Sequence, residues 1–186
     1  MSDVGTEKAA WVGAAYREQA WTQEYGPAAT IDGVRLIDLR HFSDEGGDFC
    51  ELARFGPGGV VEGLPGYHIA QISYSLMEPG AIKAWHVHQH QDDVWFAMPA
   101  ERLLVGLLDV REASPTYRRT MRFVLGAGRA RLLFIPRGVA HGAANLGARP
   151  ASIVYLMNQT FDPDRPDEHR LPYDALGAAF WSIHPG

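Results

Sequence analysis

The stretch GAIKAWHVHQHQDDVWF, Gly80 to Phe96, sets histidines at 86, 88 and 90 and follows them with Asp92 and Asp93. Side chains two apart in a strand share a face, so His86 and His88 fall on the same side of the chain. A second stretch, PRGVAHGAAN, runs from Pro136 to Asn145 and carries Gly138 and His141. Pro136 and Gly138 set a turn that delivers His141 to a neighbouring strand. Two chemistries fit this pattern. Three imidazoles and a carboxylate (His86, His88, His141 and Asp93) suit a divalent Fe, Mn, Ni or Zn ion with open positions. Alternatively, one catalytic histidine sits among polar neighbours, or the histidines bond only to one another and to water. Gln89 and Gln91 around His90 suggest a turn, which leaves His90 exposed.

Working outward, the chain from Ile31 onward is built of short β-rich runs. GVRLIDL, HIAQISYSL, DVWFAM, RLLVGLLDV, RTMRFVL, ARLLFIP and ASIVYLM are separated by turn signals such as EPG, GAG and PRG. Seven or more strands at this spacing predict a jelly-roll sandwich or barrel. Before them, Glu7 to Trp21 is rich in Ala, Glu and Arg with apolar residues at helical spacing, which predicts an N-terminal helix. The tail from Phe161 predicts a loop and then a short helix over ALGAAF. Residues 1–30 thus read as a helical extension and 31–186 as a barrel with its tail, a single domain overall.

The bulk numbers narrow the function. At 186 residues the chain suits one domain with a real core. A formal charge of −5 speaks against a non-specific hold on nucleic acid or anionic lipid. Cys50 is the only cysteine, so no intrachain disulfide forms. The N-terminal residues show no signal-peptide pattern and no window is long and apolar enough for a membrane span, so a cytoplasmic location is expected.

The two histidine stretches resemble the paired motifs of the cupin superfamily, G-x5-H-x-H-x3-4-E and P-x-G-x2-H-x3-N, with Asp in the place of Glu. The resemblance implies a double-stranded β-helix. Longer pieces, from about Ile31 to Asp174, resemble the dTDP-4-dehydrorhamnose 3,5-epimerase family. DGVRLIDLRHFSDEGGDFCE is similar to its opening turn and Phe-x-Glu, and QISYSLMEPGAIKAWH to its Gln-x-Asn-x-Ser run into Arg-Gly-x-His. LLDVREASPTY is similar to its Asp-x-Arg-x-x-Ser-Pro-Thr segment, and FIPRGVAHGAANL to its Ile-Pro-x-Gly-x-Ala-His-Gly segment. IVYLMNQTFDPDRPDEHRLPYD is similar to its Tyr-containing strand and the acidic stretch after it.

Residue by residue, the resemblance makes His86 the general base, Asp174 the carboxylate that orients it and Tyr155 the proton donor on the opposite face of a keto sugar. It places Glu51, Gln71, Lys83, His141 and Arg111 among the substrate contacts. The chemistry asks for this set. A proton α to a ketone is acidified by enolate delocalisation, and a neutral imidazole takes it. Family members need no metal, and the resemblance also implies a homodimer acting on a nucleotide-linked 4-keto-6-deoxy sugar. The plain alternatives are a core tyrosine at 155, a surface or capping carboxylate at 174 and a turn salt bridge at Arg111.

Three departures stand out. Gly46 occupies the place of the family's pyrophosphate-binding Arg, and Lys83 the place of the Arg before the catalytic histidine. The family's Lys after that histidine is missing, since the only lysines here are Lys8 and Lys83. The pocket gains His88 and a carboxylate instead. Three readings follow. One is an epimerase or isomerase without a cofactor. Another is a metal-dependent cupin, a dioxygenase or isomerase of a small organic substrate, using His86, His88, Asp93 and His141. The last is a sugar-binding module without turnover. Of Trp85, Trp95 and Phe96, at least two are expected in the core.

Overall fold

A computed structural model of the chain describes residues 11–22, 26 and 29–184. Two five-stranded antiparallel sheets face each other, with a separate hairpin. The strands are β1 (Arg35–Asp38), β2 (His41–Asp44), β3 (Gly47–Cys50), β4 (Gln71–Met77), β5 (Ile82–Val87) and β6 (Asp93–Phe96). They continue as β7 (Arg102–Asp109), β8 (Thr120–Gly126), β9 (Arg131–Ile135), β10 (Val139–Ala144), β11 (Ala151–Met157) and β12 (His169–Arg170). One sheet has the order β1-β9-β6-β11-β4, the other β12-β5-β10-β7-β8, and β2-β3 form the hairpin.

Alternation along the strands sorts the apolar residues into three layers. Trp95, Leu133 and Ile153 of the first sheet meet Leu103, Val105 and Leu107 of the second in the central core. Their neighbours Val94, Phe96, Leu132 and Leu156 turn the other way, under a lid made by Val61, Leu64 and Tyr67. On the outer face of the second sheet, Trp85 and Leu104 pack with Trp181 from the tail. Strand β7 is buried on both faces, which is why RLLVGLLD reads as a nearly unbroken apolar run.

Strand β4 inverts the usual pattern. Ile72, Tyr74 and Leu76 are 62%, 65% and 46% exposed, whereas Ser73 and Ser75 turn inward to line a cavity. The strand therefore lends polar groups to the interior and leaves an apolar stripe on an outer edge.

Neither predicted helix is present among the described residues. Glu7 to Ala10 lie outside them, and residues 11–22 hold turns and a single 3-10 turn, Arg17–Gln19. Trp11 and Trp21 are 86% and 76% exposed, so the segment buries no apolar face to repay helix nucleation. In the tail, Gly177 adopts φ +83 and leaves only a 3-10 turn, Ala178–Trp181. Burial of Trp181, whose Nε1 donates to the Tyr173 carbonyl at 2.9 Å, fixes that segment.

Candidate active site

Three elements deliver the side chains of interest. β5 carries His86 and leads into His88; β10 lies beside it with His141 directly opposite His86. The approach is close because Gly142 has no side chain: a Cβ there would stand 2.4 Å from that of Ala84. The turn before β10 depends on Gly138, at φ +75, whose N–H donates to the His88 carbonyl at 2.8 Å. Strand β6 of the opposite sheet starts at Asp93, and β11 brings Tyr155 across from Trp95.

These groups line a cavity of about 290 Å³ between the two sheets. On one wall His86 Nδ1 lies 3.0 Å from Glu168 Oε1, which Arg170 also binds at 2.7 Å. The pairing of β12 with β5, Arg170 opposite His86, places this carboxylate. An Nδ1–H donated to Glu168 leaves Nε2 as the basic nitrogen. Burial holds the His86 pKa below the ordinary imidazole value, with Arg170 adding to the effect and Glu168 opposing it. On the other wall stands Tyr155, edge-on to Trp95 at 5.5 Å between ring centres. Burial raises its phenol pKa, so it stays protonated, although a hydrogen bond to Ser75 works the other way.

Deeper in, His88, Asp93 and His141 converge, all three buried. Asp93 Oδ2 is 3.5 Å from His141 Nε2 and 3.7 Å from His88 Nε2. Gln91 Nε2 and Trp95 Nε1 donate to its two oxygens at 2.7 and 3.1 Å. His141 Nδ1 meets the Val139 carbonyl at 2.9 Å, and His88 Nδ1 meets the Asp167 carbonyl. Burial depresses the His141 pKa despite the facing Asp93. The loop after His88 is tied down by the Asp167 carboxylate, which accepts from the backbone N–H groups of Gln89, His90 and Gln91 at 2.8, 2.8 and 2.9 Å. Asp92, by contrast, faces away and pairs with Arg137 at 2.9 Å.

The structure gathers His86, His88, Asp93, His141, Tyr155 and Lys83 around one cavity. Lys83 Nζ donates to Ser75 Oγ at 2.6 Å. Gln71 sits at the margin, holding Ser73 and the Phe161 N–H. Three expected residues lie elsewhere. Asp174 is exposed in the turn after β12, and the carboxylate beside His86 is Glu168, six residues earlier. Glu51 binds Arg54 through both oxygens at 2.9 Å and lines a separate groove. Arg111 is not among the cavity's lining residues; Asp109 takes its Nε and Nη2 at 2.8 and 2.9 Å. Trp85 and Phe96 are core residues and Trp95 alone of the three lines the cavity. Glu168 and Gln91 escaped the motif reading as site residues; Trp95 was one of three aromatics of which at least two were expected in the core. A β12 paired with β5 was the only signal for Glu168, and two residues carry little pattern.

A family model described as dTDP-4-dehydrorhamnose 3,5-epimerase matches residues 28–181. The chain belongs to this family. Its relatives include the spore coat polysaccharide biosynthesis protein SpsL of Bacillus subtilis, 42% identical over 144 residues, covering 77% of this chain and 91% of the relative. The probable low-salt glycan biosynthesis epimerase Agl13 of Haloferax volcanii is 36% identical over 146 residues, with 77% and 89% covered. Among solved structures, a dTDP sugar isomerase from Desulfovibrio desulfuricans aligns with a TM-score of 0.67 and 29% identity, over 83% of this chain and 91% of the other. No Lys or Arg lies between His86 and Arg102 in this chain, and Asp93 stands on the cavity wall.

Proposed function

We propose that the chain epimerises a nucleotide-linked 4-keto-6-deoxy sugar, with His86 as base and Tyr155 as acid. One observation carries the reading: His86, on β5 of one sheet, and Tyr155, on β11 of the other, line a single cavity from its two sides. His86 Nε2 takes the proton α to the ketone, the electrons delocalise into the enolate, and Tyr155 O–H returns a proton to the other face. The carbon is inverted. Glu168 holds the imidazole in the tautomer with Nε2 free and stabilises the imidazolium once the proton arrives. Lys83 is the lysine on the cavity wall and suits the substrate's negative charge. Membership of the family and its epimerase relatives support the reaction class. The apolar outer stripe of the edge strand β4 supports the homodimer implied by the family.

The test is proton exchange in D2O, followed by NMR on a dTDP-4-keto-6-deoxy sugar. Wild-type chain is expected to wash deuterium into a carbon beside the ketone. His86→Asn should reduce the rate by about 10³-fold, within the range general bases supply. Exchange at the wild-type rate in His86→Asn would remove His86 as the base.

A further inference from the structure

The deep end of the cavity holds three polar groups whose spacing suits neither hydrogen bonding nor simple packing. His141 Nδ1 and His88 Nδ1 each meet a backbone carbonyl, from Val139 and Asp167, which can only accept. Both rings therefore carry their proton on Nδ1. In the neutral state each turns the Nε2 lone pair toward the Asp93 carboxylate. Two lone pairs and an anion then face one another in a buried space, an arrangement that repels unless a cation lies among them.

The distances agree. At 3.5 and 3.7 Å, the contacts of Asp93 Oδ2 with His141 and His88 are too long for good hydrogen bonds. A tetrahedral ion with bonds of about 2.1 Å separates its ligands by about 3.4 Å. The three ligand atoms all lie within 4.8 Å of one another. The surroundings match as well: each histidine is fixed through its other nitrogen by a carbonyl, and the carboxylate is steadied by Gln91 and Trp95. His86 is not one of the converging three; its ring centre stands 6.0 Å from that of His141, on the wall beside Glu168.

We propose that His88, Asp93 and His141 bind one divalent transition-metal ion of the zinc or cobalt type, leaving open coordination positions on the cavity side. Two imidazoles and one carboxylate are the donor set of a borderline cation and leave room for a water or a substrate oxygen. The binding claim is independent of the proposed epimerisation. Only the ion's role rests on that reading: it would supply positive charge on the same cavity wall as the base.

The experiment takes the whole chain, stripped with a chelator, and titrates it with Zn²⁺ by calorimetry and with Co²⁺ by visible absorption. One ion per chain is expected. Asp93→Asn and His88→Gln should each weaken binding by more than about 100-fold, beyond the usual effect of an outer partner. His86→Gln should leave the affinity unchanged. A readout on the wild-type chain covers the case in which a variant does not fold. The imidazole nitrogen resonances of His88 and His141 should shift on adding Zn²⁺, and those of His86 should not. The absence of saturable binding by folded wild-type chain would overturn the proposal, as would full binding by Asp93→Asn or shifts confined to His86 and His90. None of these readouts depends on turnover.

Discussion

Asp109 and Asp93 are both buried at the ends of strands, 0% and 3% exposed, yet their surroundings differ in kind. Asp109 receives the Arg111 guanidinium through Nε and Nη2, the hydroxyls of Ser114 and Thr116 at 2.5 and 2.7 Å, and the Arg111 N–H at 3.1 Å. Its charge is matched by a cation and its lone pairs are filled. Arg111 in turn reaches the Asp32 carbonyl at 2.7 Å, so the cluster staples the 109–116 turn to the N-terminal strand's approach. Asp93 receives two neutral donors and faces two imidazole nitrogens beyond hydrogen-bond range. A buried charge left so incompletely matched marks a place where the molecule expects something from outside. The segment DVREASPT, though similar to the family's own, pairs Asp109 with Arg111 inside itself; the plainer DDVWF lines the cavity through Asp93 and Trp95.

The largest expected effect sharpens the contrast from the functional side. Glu168→Gln keeps the shape beside His86 but loses the charge. kcat should fall by about 10² to 10³-fold with little change in unfolding midpoint, as measured by steady-state kinetics and denaturation. Next comes the structural aspartate. Asp109→Asn leaves Arg111 without its charge partner and replaces an oxygen that accepts from Arg111, Ser114 and Thr116 by an amide N–H. It should cost about 3 kcal/mol by urea denaturation while leaving KM for a keto sugar unchanged. A loss of activity at full stability would invert the assignment of Asp109.

The acid limb of stability follows from the same cluster. Burial pushes the Asp109 pKa up, but the bonds from Arg111, Ser114 and Thr116 overcome it and hold the carboxyl well below the usual range. A folded-state pKa below the unfolded value of about 3.9 gives stabilisation that is complete above that value. It is lost as pH falls toward the folded pKa. The wild-type chain should therefore lose stability below about pH 4, and Asp109→Asn should show a flatter acid limb. The smallest effect belongs to Asp93→Asn in the metal-free chain. Removing a poorly matched charge should shift the unfolding free energy by less than about 1 kcal/mol, in either direction. A cost as large as that of Asp109→Asn would show the two aspartates to be alike.

Much of the fold was legible because strand alternation and buried runs are local signals. ARLLFIP, ASIVYLM and RLLVGLLDV all became strands, β9, β11 and β7. His86, Asp93 and His141 were legible through motif spacing and Tyr155 through the family resemblance, and the cavity unites them. What escaped depends on distant pairing. Glu168 reaches His86 only because two residues of β12 pair with β5, and no periodicity announces a two-residue strand. The hairpin of β2 and β3, HFSD and GDFC, is mostly exposed, and its cross-strand pair Phe42–Phe49 is too short a pattern to announce two strands. The alanines of ALGAAF suggested a helix, but Gly177 at positive φ and the burial of Trp181 decided the path. Asp174 was taken from resemblance alone, and its side chain lies outside the cavity.

The most direct measurement of the two-faced chemistry is the partition between exchange and inversion in Tyr155→Phe. The variant is run in D2O on a dTDP-4-keto-6-deoxy sugar, with NMR reading both isotope content and configuration. His86 still removes the proton, but the acid on the opposite wall is gone. The expected result is deuterium incorporation that persists while formation of the inverted sugar falls by about 10² fold or more. Exchange and inversion falling together, or inversion continuing at the wild-type rate, would contradict the assignment of His86 and Tyr155 to opposite faces of the substrate.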